Sequence, residues 1–384
     1  MTRAIRSLPA LCALTIASLA AAAPNVEKQS WSPALDRIVT EHRDNLGLVG
    51  LGVMIMKDGE IIASAVAGER KHGSGIPLTE QDKWHIGSIT KSFTATLIAR
   101  LVERGELSWD TTIGDVIAGS AEISEAWQRV TVEQLLTHTS GASNKLKRPF
   151  SYLFRDHPEG PDRMIAREAL VLDFLKDEPV APAGSKFLYS NAGALIAGVM
   201  AERATGSSWE DLIRREIFAP LGIHSGGFGH PEDQAQDLEQ PRGHKSFLGF
   251  TVSVDEDPTI VIGPAGSIHM SLRDLLVYAN DHLQGETGGG KLLEPESYRK
   301  LHRPVLDHYA YGWVVNPHAE WSKGPVIWHN GSNGMWDALL AISPKTRTII
   351  AITSNDGRRA LAGDATGPML EKAAQLLAGA NASQ

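Results

Sequence analysis

The chain has 384 residues, of which 42% are hydrophobic, 21% charged and 6% aromatic. These fractions are those of an ordinary globular protein and exclude a disordered, collagen-like or fibrous chain. The net charge is -8, from 37 Lys and Arg against 45 Asp and Glu, and no long basic run is present, so nucleic acid is not an expected partner.

The first 22 residues have the pattern of a secretory signal peptide. Arg3 and Arg6 precede an apolar stretch over residues 8–22 that ends in small residues. The stretch is shorter than the ~20 residues of a membrane span. We expect cleavage near Ala22, with the exact site left open, and a secreted, bacterial periplasmic protein with no stable membrane anchor. Cleavage also removes Cys12, the only cysteine, so no disulfide is expected.

Hydrophobic periodicity predicts the elements that follow. An amphipathic helix is predicted over 33–46, and two strands, 49–57 and 60–67, flank a hairpin turn at Asp58-Gly59. The pattern is mainly helical from about 88 to 225, and its strongest helix runs from 88 to 104 before Gly105. Polar residues 229–249 are predicted to form a loop. The last elements are strands over 311–316, 325–328, 336–342 and 348–353, and a helix over 364–378.

Strands at both chain ends around a helical middle predict one composite domain over residues 23–384. We expect an α/β fold of the α+β type, in which an antiparallel sheet from both ends is flanked by helices. The sheet lobe takes in about 30–87 and 262–384, and an inserted, mostly helical lobe takes in about 88–261. The cleft between the lobes is the expected ligand site.

One motif with catalytic chemistry is Ser-x-x-Lys, which occurs twice. No H-E-x-x-H, C-x-x-C or G-x-S-x-G is present. Ser88 and Lys91 lie one turn apart at the start of the strongest predicted helix, where a desolvated amine can accept the serine proton. The alternative for Ser88 is an ordinary helix N-cap. The second pair, Ser297 and Lys300, falls in a charged segment that is typical of a solvated helix.

Two further short motifs accompany the serine. Tyr189-Ser190-Asn191 precedes a helix rich in Gly and Ala, whereas the similar Tyr278-Ala279-Asn280 falls within a helical period that is typical of core. His329-Asn330-Gly331 follows a predicted strand. His and Asn are also ordinary residues near strand ends, and His-x-Gly occurs again at His85 and His224.

Together these segments resemble the serine β-lactamase and penicillin-binding family, in its class C-like branch. The resemblance extends from about residue 35 to 378 in the order of the family. The segments that carry it are WHIGSITKSF at 84–93, LVERGELS at 101–108, VEQLLTHTSG at 132–141, FLYSNAG at 187–193, IFAPLG at 217–222, YGW at 311–313 and WHNG at 328–331.

The resemblance implies a β-lactamase/transpeptidase-like fold and an acyl-enzyme reaction without metal or organic cofactor. Ser88 would be the nucleophile, Lys91 its activating partner and Tyr189 a proton relay. The implied substrate-binding residues are Asn191, which would bind an amide or position Lys91, and His329 with Gly331 in the third motif. Ser332 would complete the oxyanion hole, with its backbone N–H acting beside that of Ser88.

The third motif departs from the Lys-Thr-Gly of class C β-lactamases, because His329 replaces the lysine. Without that permanent cation the Tyr189 phenolate is harder to form, which favours Lys91 as the base. A carboxylate substrate would then need a protonated His329, and its binding would weaken as the pH rises through about 6–7.5. Arg358 and Arg359 are alternative anchors, although solvated charges are the commoner role for such residues.

The function predicted from the sequence is therefore a secreted serine hydrolase. Its substrate would be a D-amino-acid peptide or a small ester or amide. One alternative is a class C-like β-lactamase with slow turnover. The other is a penicillin-recognising protein that binds without catalysis. The sequence leaves substrate identity and oligomeric state open.

Overall fold

The computed structural model describes residues 31–117, 123–144, 160–231, 238–254, 261–363 and 365–381, so the predicted signal peptide lies outside them. The helices are α1 Trp31–Leu46, α2 Thr90–Glu103, α3 Ile113–Ile117, α4 Glu125–Gln128, α5 Val132–Leu136, α6 Gly160–Phe174, α7 Asn191–Thr205, α8 Trp209–Ile213, α9 Ala219–Leu221, α10 Gly263–Gly266, α11 Leu272–Gly285, α12 Pro295–Leu301 and α13 Gly367–Asn381. The strands are β1 Gly50–Lys57, β2 Glu60–Gly68, β3 Lys83–His85, β4 Gly227–Phe228, β5 Gly243–Phe247, β6 Phe250–Val254, β7 Ile268–Ser271, β8 Val314–Ala319, β9 Gly324–Ser332, β10 Asp337–Ser343 and β11 Thr348–Ser354.

The central sheet joins the two ends of the chain. Within the described residues it has six strands in the order β2-β1-β11-β10-β9-β8, and the pairing of β1 with β11 is antiparallel. The β1–β2 turn uses Asp58 and Gly59, whose φ values of 51° and 86° are those of a tight hairpin turn. The predicted mixed fold with an antiparallel sheet from both chain ends is confirmed.

The sheet separates two hydrophobic layers because side chains alternate along each strand. On β10, Leu339 and Ala341 face the layer that holds α1 and α13, whereas Leu340 and Ile342 face the larger core. That larger core contains α2, which is buried on nearly all sides. Phe93 of α2 stacks on Tyr278 of α11 with ring centroids 3.6 Å apart. This stack packs α2 against α11 in the larger core.

Part of the predicted loop at 229–249 is instead a β-hairpin. Strands β5 and β6 pair in register around Leu248 and Gly249, whose φ values are 51° and 83°. The sequence prediction missed this hairpin because β5 carries little apolar alternation and the turn begins with Leu rather than Asn or Asp. A small sheet in the order β3-β7-β4 was not predicted either. No helix among the described residues has the length and apolar character that crossing a bilayer requires.

Candidate active site

Ser88 lies in a short 3-10 turn, Gly87–Ile89, that leads directly into α2. Its side chain is half-buried and makes no capping hydrogen bond to either helical segment. Its Oγ instead accepts a hydrogen bond from Lys91 Nζ at 2.9 Å. The alternative role as an N-cap is therefore not observed.

Lys91 is buried beneath Ser88, with 2% of its surface exposed. Its Nζ also donates to the carbonyl oxygen of Ala265 at 2.7 Å. Burial lowers the pKa of Lys91, and the proximity of Tyr189 opposes that shift. Among the described residues no carboxylate forms an ion pair with this amine to oppose the effect of burial, which shifts it toward the neutral form that can accept a proton.

Tyr189 immediately precedes α7, where Ser190 caps the helix by accepting a hydrogen bond from the N–H of Ala192 at 3.1 Å. Lys91 Nζ lies 4.9 Å from the centroid of the Tyr189 ring. The structure therefore brings Ser88, Lys91 and Tyr189 together. Asn191 occupies the first turn of α7 with its N–H on Asn144 Oδ1 at 3.2 Å. Within the described part of the chain, its side-chain amide makes no hydrogen bond to Lys91.

Two glycines let strand β9 cross the turn that carries Ser88 at backbone contact. A Cβ at Gly87, whose φ is +52°, would lie 2.3 Å from Ser332 N. A Cβ at Gly331 would lie 2.6 Å from Ser88 N and 2.0 Å from Ile86 O. Only glycine permits this approach. The backbone amides of Ser88 and Ser332 consequently lie side by side at the site.

His329 is buried on β9 with both ring nitrogens engaged inside the protein. Its Nδ1 contacts the carbonyl oxygen of Asn330, which can only accept, so Nδ1 carries the proton. Its Nε2 therefore accepts from the hydroxyl of Tyr309 at 3.2 Å. Burial, aided by the charge of Lys91, lowers the pKa of His329 to about 3. The premise that a protonated His329 anchors a substrate carboxylate near neutral pH is not supported by this arrangement.

The competing motifs lie in other environments. Ser297 belongs to α12, and the amine of Lys300 binds Glu133 Oε1 at 2.7 Å. Tyr278 of α11 is buried in the larger core, where burial raises its pKa. Arg358 is held by Asp356 and by the carbonyl oxygen of Gly47. These groups are committed to structural contacts.

Sequence reasoning missed two residues at the site. Tyr309 is buried against His329 and belongs to no motif, so no sequence signal identified it. His138 lies inside the segment 132–141 that carries the family resemblance, but no role was assigned to it. Its ring centroid is 4.5 Å from that of Tyr189 and 4.6 Å from that of Tyr309. The position of His138 within the segment 132–141 that carries the resemblance was the available signal.

Comparison with known proteins agrees with this geometry. A family model described as Beta-lactamase matches residues 35–373. The chain is 28% identical over 347 residues to Penicillin-binding protein 4 of Amycolatopsis lactamdurans, covering 85% of each chain. It is 27% identical to Esterase EstB of Burkholderia gladioli, over 68% of this chain and 73% of the esterase.

A solved structure of a penicillin-binding protein homologue is also similar to this chain. The octameric penicillin-binding protein homologue from Pyrococcus abyssi matches with a TM-score of 0.74 at 25% identity, covering 90% of this chain and 77% of that one. The family match extends over most of the chain and includes the Ser88–Lys91 turn, α7 and β9. The chain therefore belongs to the beta-lactamase family of serine hydrolases.

Proposed function

We propose that the protein is a secreted serine hydrolase that forms an acyl-enzyme at Ser88. The observation that carries this proposal is the 2.9 Å hydrogen bond between Lys91 Nζ and Ser88 Oγ. Because burial disfavours the ammonium form of Lys91, the pair is suited to transfer of the serine proton to the amine. The signal-peptide pattern of residues 1–22 supports export to the periplasm.

In the acylation step, Ser88 Oγ forms a bond to the substrate carbonyl carbon while Lys91 takes the hydroxyl proton. The carbonyl oxygen becomes negatively charged and accepts hydrogen bonds from the backbone amides of Ser88 and Ser332. Each such donor contributes ~3–4 kcal/mol to lowering the barrier. When the intermediate collapses, the ester or amide bond breaks, and the proton passes from Lys91 through the Tyr189 phenol to the leaving oxygen or nitrogen.

Water completes the cycle in the deacylation step. It attacks the acyl carbon and gives its proton to the Lys91–Tyr189 pair. The bond to Ser88 Oγ then breaks, the serine recovers a proton and a carboxylic acid is released. These steps balance with water alone as the second substrate.

The polar groups of the site support a small ester or amide, including a D-amino-acid derivative, as the acyl donor. Among the described residues, neither His329 nor Arg358 supplies a cation for a substrate carboxylate. The relationship to an esterase supports ester cleavage. The relationship to Penicillin-binding protein 4 favours a second candidate, a penicillin-recognising protein or a β-lactamase with slow turnover.

A parallel turnover panel tests these candidates. It compares p-nitrophenyl esters, D- and L-amino-acid amides, a D-Ala-D-Ala peptide and nitrocefin, using wild type, Ser88→Ala and Ser297→Ala. We expect turnover of esters or D-amides that is lost in Ser88→Ala and retained in Ser297→Ala. Faster turnover of nitrocefin than of every ester and amide would favour the β-lactamase, and undiminished hydrolysis by Ser88→Ala would overturn the proposal.

A further inference from the structure

His138 holds the chain on both sides of Tyr189. The carbonyl oxygen of His138 accepts the N–H of Leu188 at 2.8 Å. Its ring Nδ1 accepts the N–H of Ser190 at 3.3 Å. Leu188 and Ser190 are the two neighbours of Tyr189 in the sequence. One residue thus fixes the backbone immediately before and immediately after the phenol.

The turn that contains His138 binds a longer part of the same segment. The N–H of Gly184 donates to the carbonyl oxygen of Thr139 at 2.7 Å, and that of Val180 donates to Gly141 at 3.0 Å. A Cβ at Gly141 would lie 2.0 Å from Ala181 O, so the two stretches are in backbone contact. Backbone hydrogen bonds to residues 138–141 therefore fix the path of the chain from Val180 to Tyr189.

The chemistry of the imidazole fits a fixed acceptor. The N–H of Ser190 can only donate, so Nδ1 offers its lone pair and the proton lies on Nε2. The residue is 2% exposed, and Nε2 has no hydrogen-bond partner among the residues that the structure describes. Burial lowers the pKa of His138 well below its ordinary value, and the nearby Lys91 acts in the same direction. The ring stays neutral and in one tautomer.

The ring itself also limits where the phenol can lie. It packs at 4.5 Å from the Tyr189 centroid and at 4.6 Å from the Tyr309 centroid. Tyr309 in turn donates to His329 on β9. The wall behind Tyr189 therefore runs from His138 through Tyr309 to His329.

We propose that His138 is a positioning residue that holds the Tyr189 phenol beside Lys91 and Ser88. This inference rests on the proposed acyl-enzyme function, in which Tyr189 relays the proton. His138 touches no reacting atom. It acts through the two amide hydrogen bonds that flank Tyr189 and through its ring contact.

The test compares two substitutions that both tolerate the left-handed backbone of His138, whose φ is 58°. His138→Asn keeps an acceptor atom near the position of Nδ1, whereas His138→Gly removes it. Active sites are first titrated with a fluorophosphonate, and kcat for a p-nitrophenyl ester is expressed per titrated site. We expect kcat of the Gly variant to fall roughly 10- to 100-fold with little change in KM. The Asn variant should recover most of that loss.

A control variant and a double-mutant cycle distinguish an effect of His138 on the position of Tyr189 from an effect on the stability of the fold. His42→Ala removes another buried histidine, which binds Ala365 O at 2.9 Å beside α13. It should lower Tm without changing kcat per titrated site. In a Tyr189→Phe background, His138→Gly should cause no further loss of kcat, because its effect passes through the phenol.

The outcomes distinguish the two proposals. Equal kcat per titrated site in His138→Gly and wild type, with Ser88→Ala inactive, overturns only the role of His138. An undiminished effect of His138→Gly in the Tyr189→Phe background also overturns it. Hydrolysis that persists in Ser88→Ala overturns the proposed function instead.

Discussion

Substitution of Gly331 by Ala adds one methyl group where strand β9 crosses the nucleophile turn. The new Cβ would lie 2.0 Å from Ile86 O and 2.6 Å from Ser88 N. Both neighbours are backbone atoms, so no side chain can rotate to relieve the contact. Either β9 or the turn that carries Ser88 must move.

The size of the movement follows from these distances. Real Cβ contacts essentially never fall below 3.0 Å, so the contact to Ile86 O must lengthen from 2.0 Å by at least 1.0 Å. A donor withdrawn by ~1 Å from an oxyanion at ~2.9 Å no longer makes a hydrogen bond. Loss of one oxyanion donor costs ~100- to 1,000-fold in kcat. Overpacking should also destabilise the fold by ~1–3 kcal/mol.

The assay is kcat for a p-nitrophenyl ester in Gly331→Ala, normalised to sites titrated by fluorophosphonate. Gly324→Ala is the matched control, since it lies on the same strand and the nearest described atoms to its Cβ belong to the flexible Lys345 side chain, at 3.2 Å and beyond. We expect the control to stay within ~2-fold of wild type. A Gly331→Ala enzyme with wild-type kcat would refute the assignment of these two amides to the oxyanion hole.

Three further predictions concern ionisable groups. Lys91→Arg should lower the acylation rate ~100- to 10,000-fold in stopped-flow measurements, because the guanidinium stays protonated; an unchanged rate would exclude Lys91 as the base. Since burial lowers the pKa of His329 to about 3, it should not titrate between pH 5 and 8. We compare kcat/KM for a carboxylate substrate with kcat/KM for a neutral ester as a function of pH. The ratio of the two should have the same pH profile in wild type and in His329→Gln. A change in the ratio at pH 6–7.5 that is present in wild type and absent from His329→Gln would contradict this prediction. Burial raises the pKa of Asp337 from 3.8 to about 7. The native state then binds the proton more tightly than the unfolded state, so the free energy of unfolding should fall by on the order of 4 kcal/mol from pH 4 to 7. The free energy of unfolding of Asp337→Asn, measured with urea, should lack this decrease. Equal pH dependence of the free energy of unfolding in wild type and Asp337→Asn would refute the prediction.

Local patterns were sufficient for much of the fold. The Asp58-Gly59 turn and the apolar strands beside it predicted the β1–β2 hairpin, and strands at both chain ends predicted one antiparallel sheet, although not that β11 pairs with β1. The three-residue spacing of Ser88 and Lys91 also predicted their contact, because a helical turn brings such positions together. These features depend on interactions within a few residues or on a simple topology.

Features that depend on tertiary burial could not be predicted in the same way. His329 was expected to titrate near neutral pH, but its pKa is lowered by burial and then by Lys91 of α2, which is distant in the sequence. The hydrogen bond from Ser190 N–H to His138 Nδ1 joins segments about 50 residues apart in the sequence. The β5–β6 hairpin was missed because a Leu-Gly turn carries a weak sequence signal. For the two histidines the deciding contacts come from a distant part of the chain, whereas the hairpin was missed because of its own turn sequence.

The measurement that tests the central claim most directly is mapping of the acyl-enzyme by mass spectrometry. The protein is trapped with a fluorophosphonate or a labelled penicillin, digested, and the modified peptide sequenced in wild type, Ser88→Ala and Ser297→Ala. The account predicts one adduct on Ser88, absent from Ser88→Ala and unchanged in Ser297→Ala. An adduct on Ser297, or label and turnover that persist in Ser88→Ala, would contradict it.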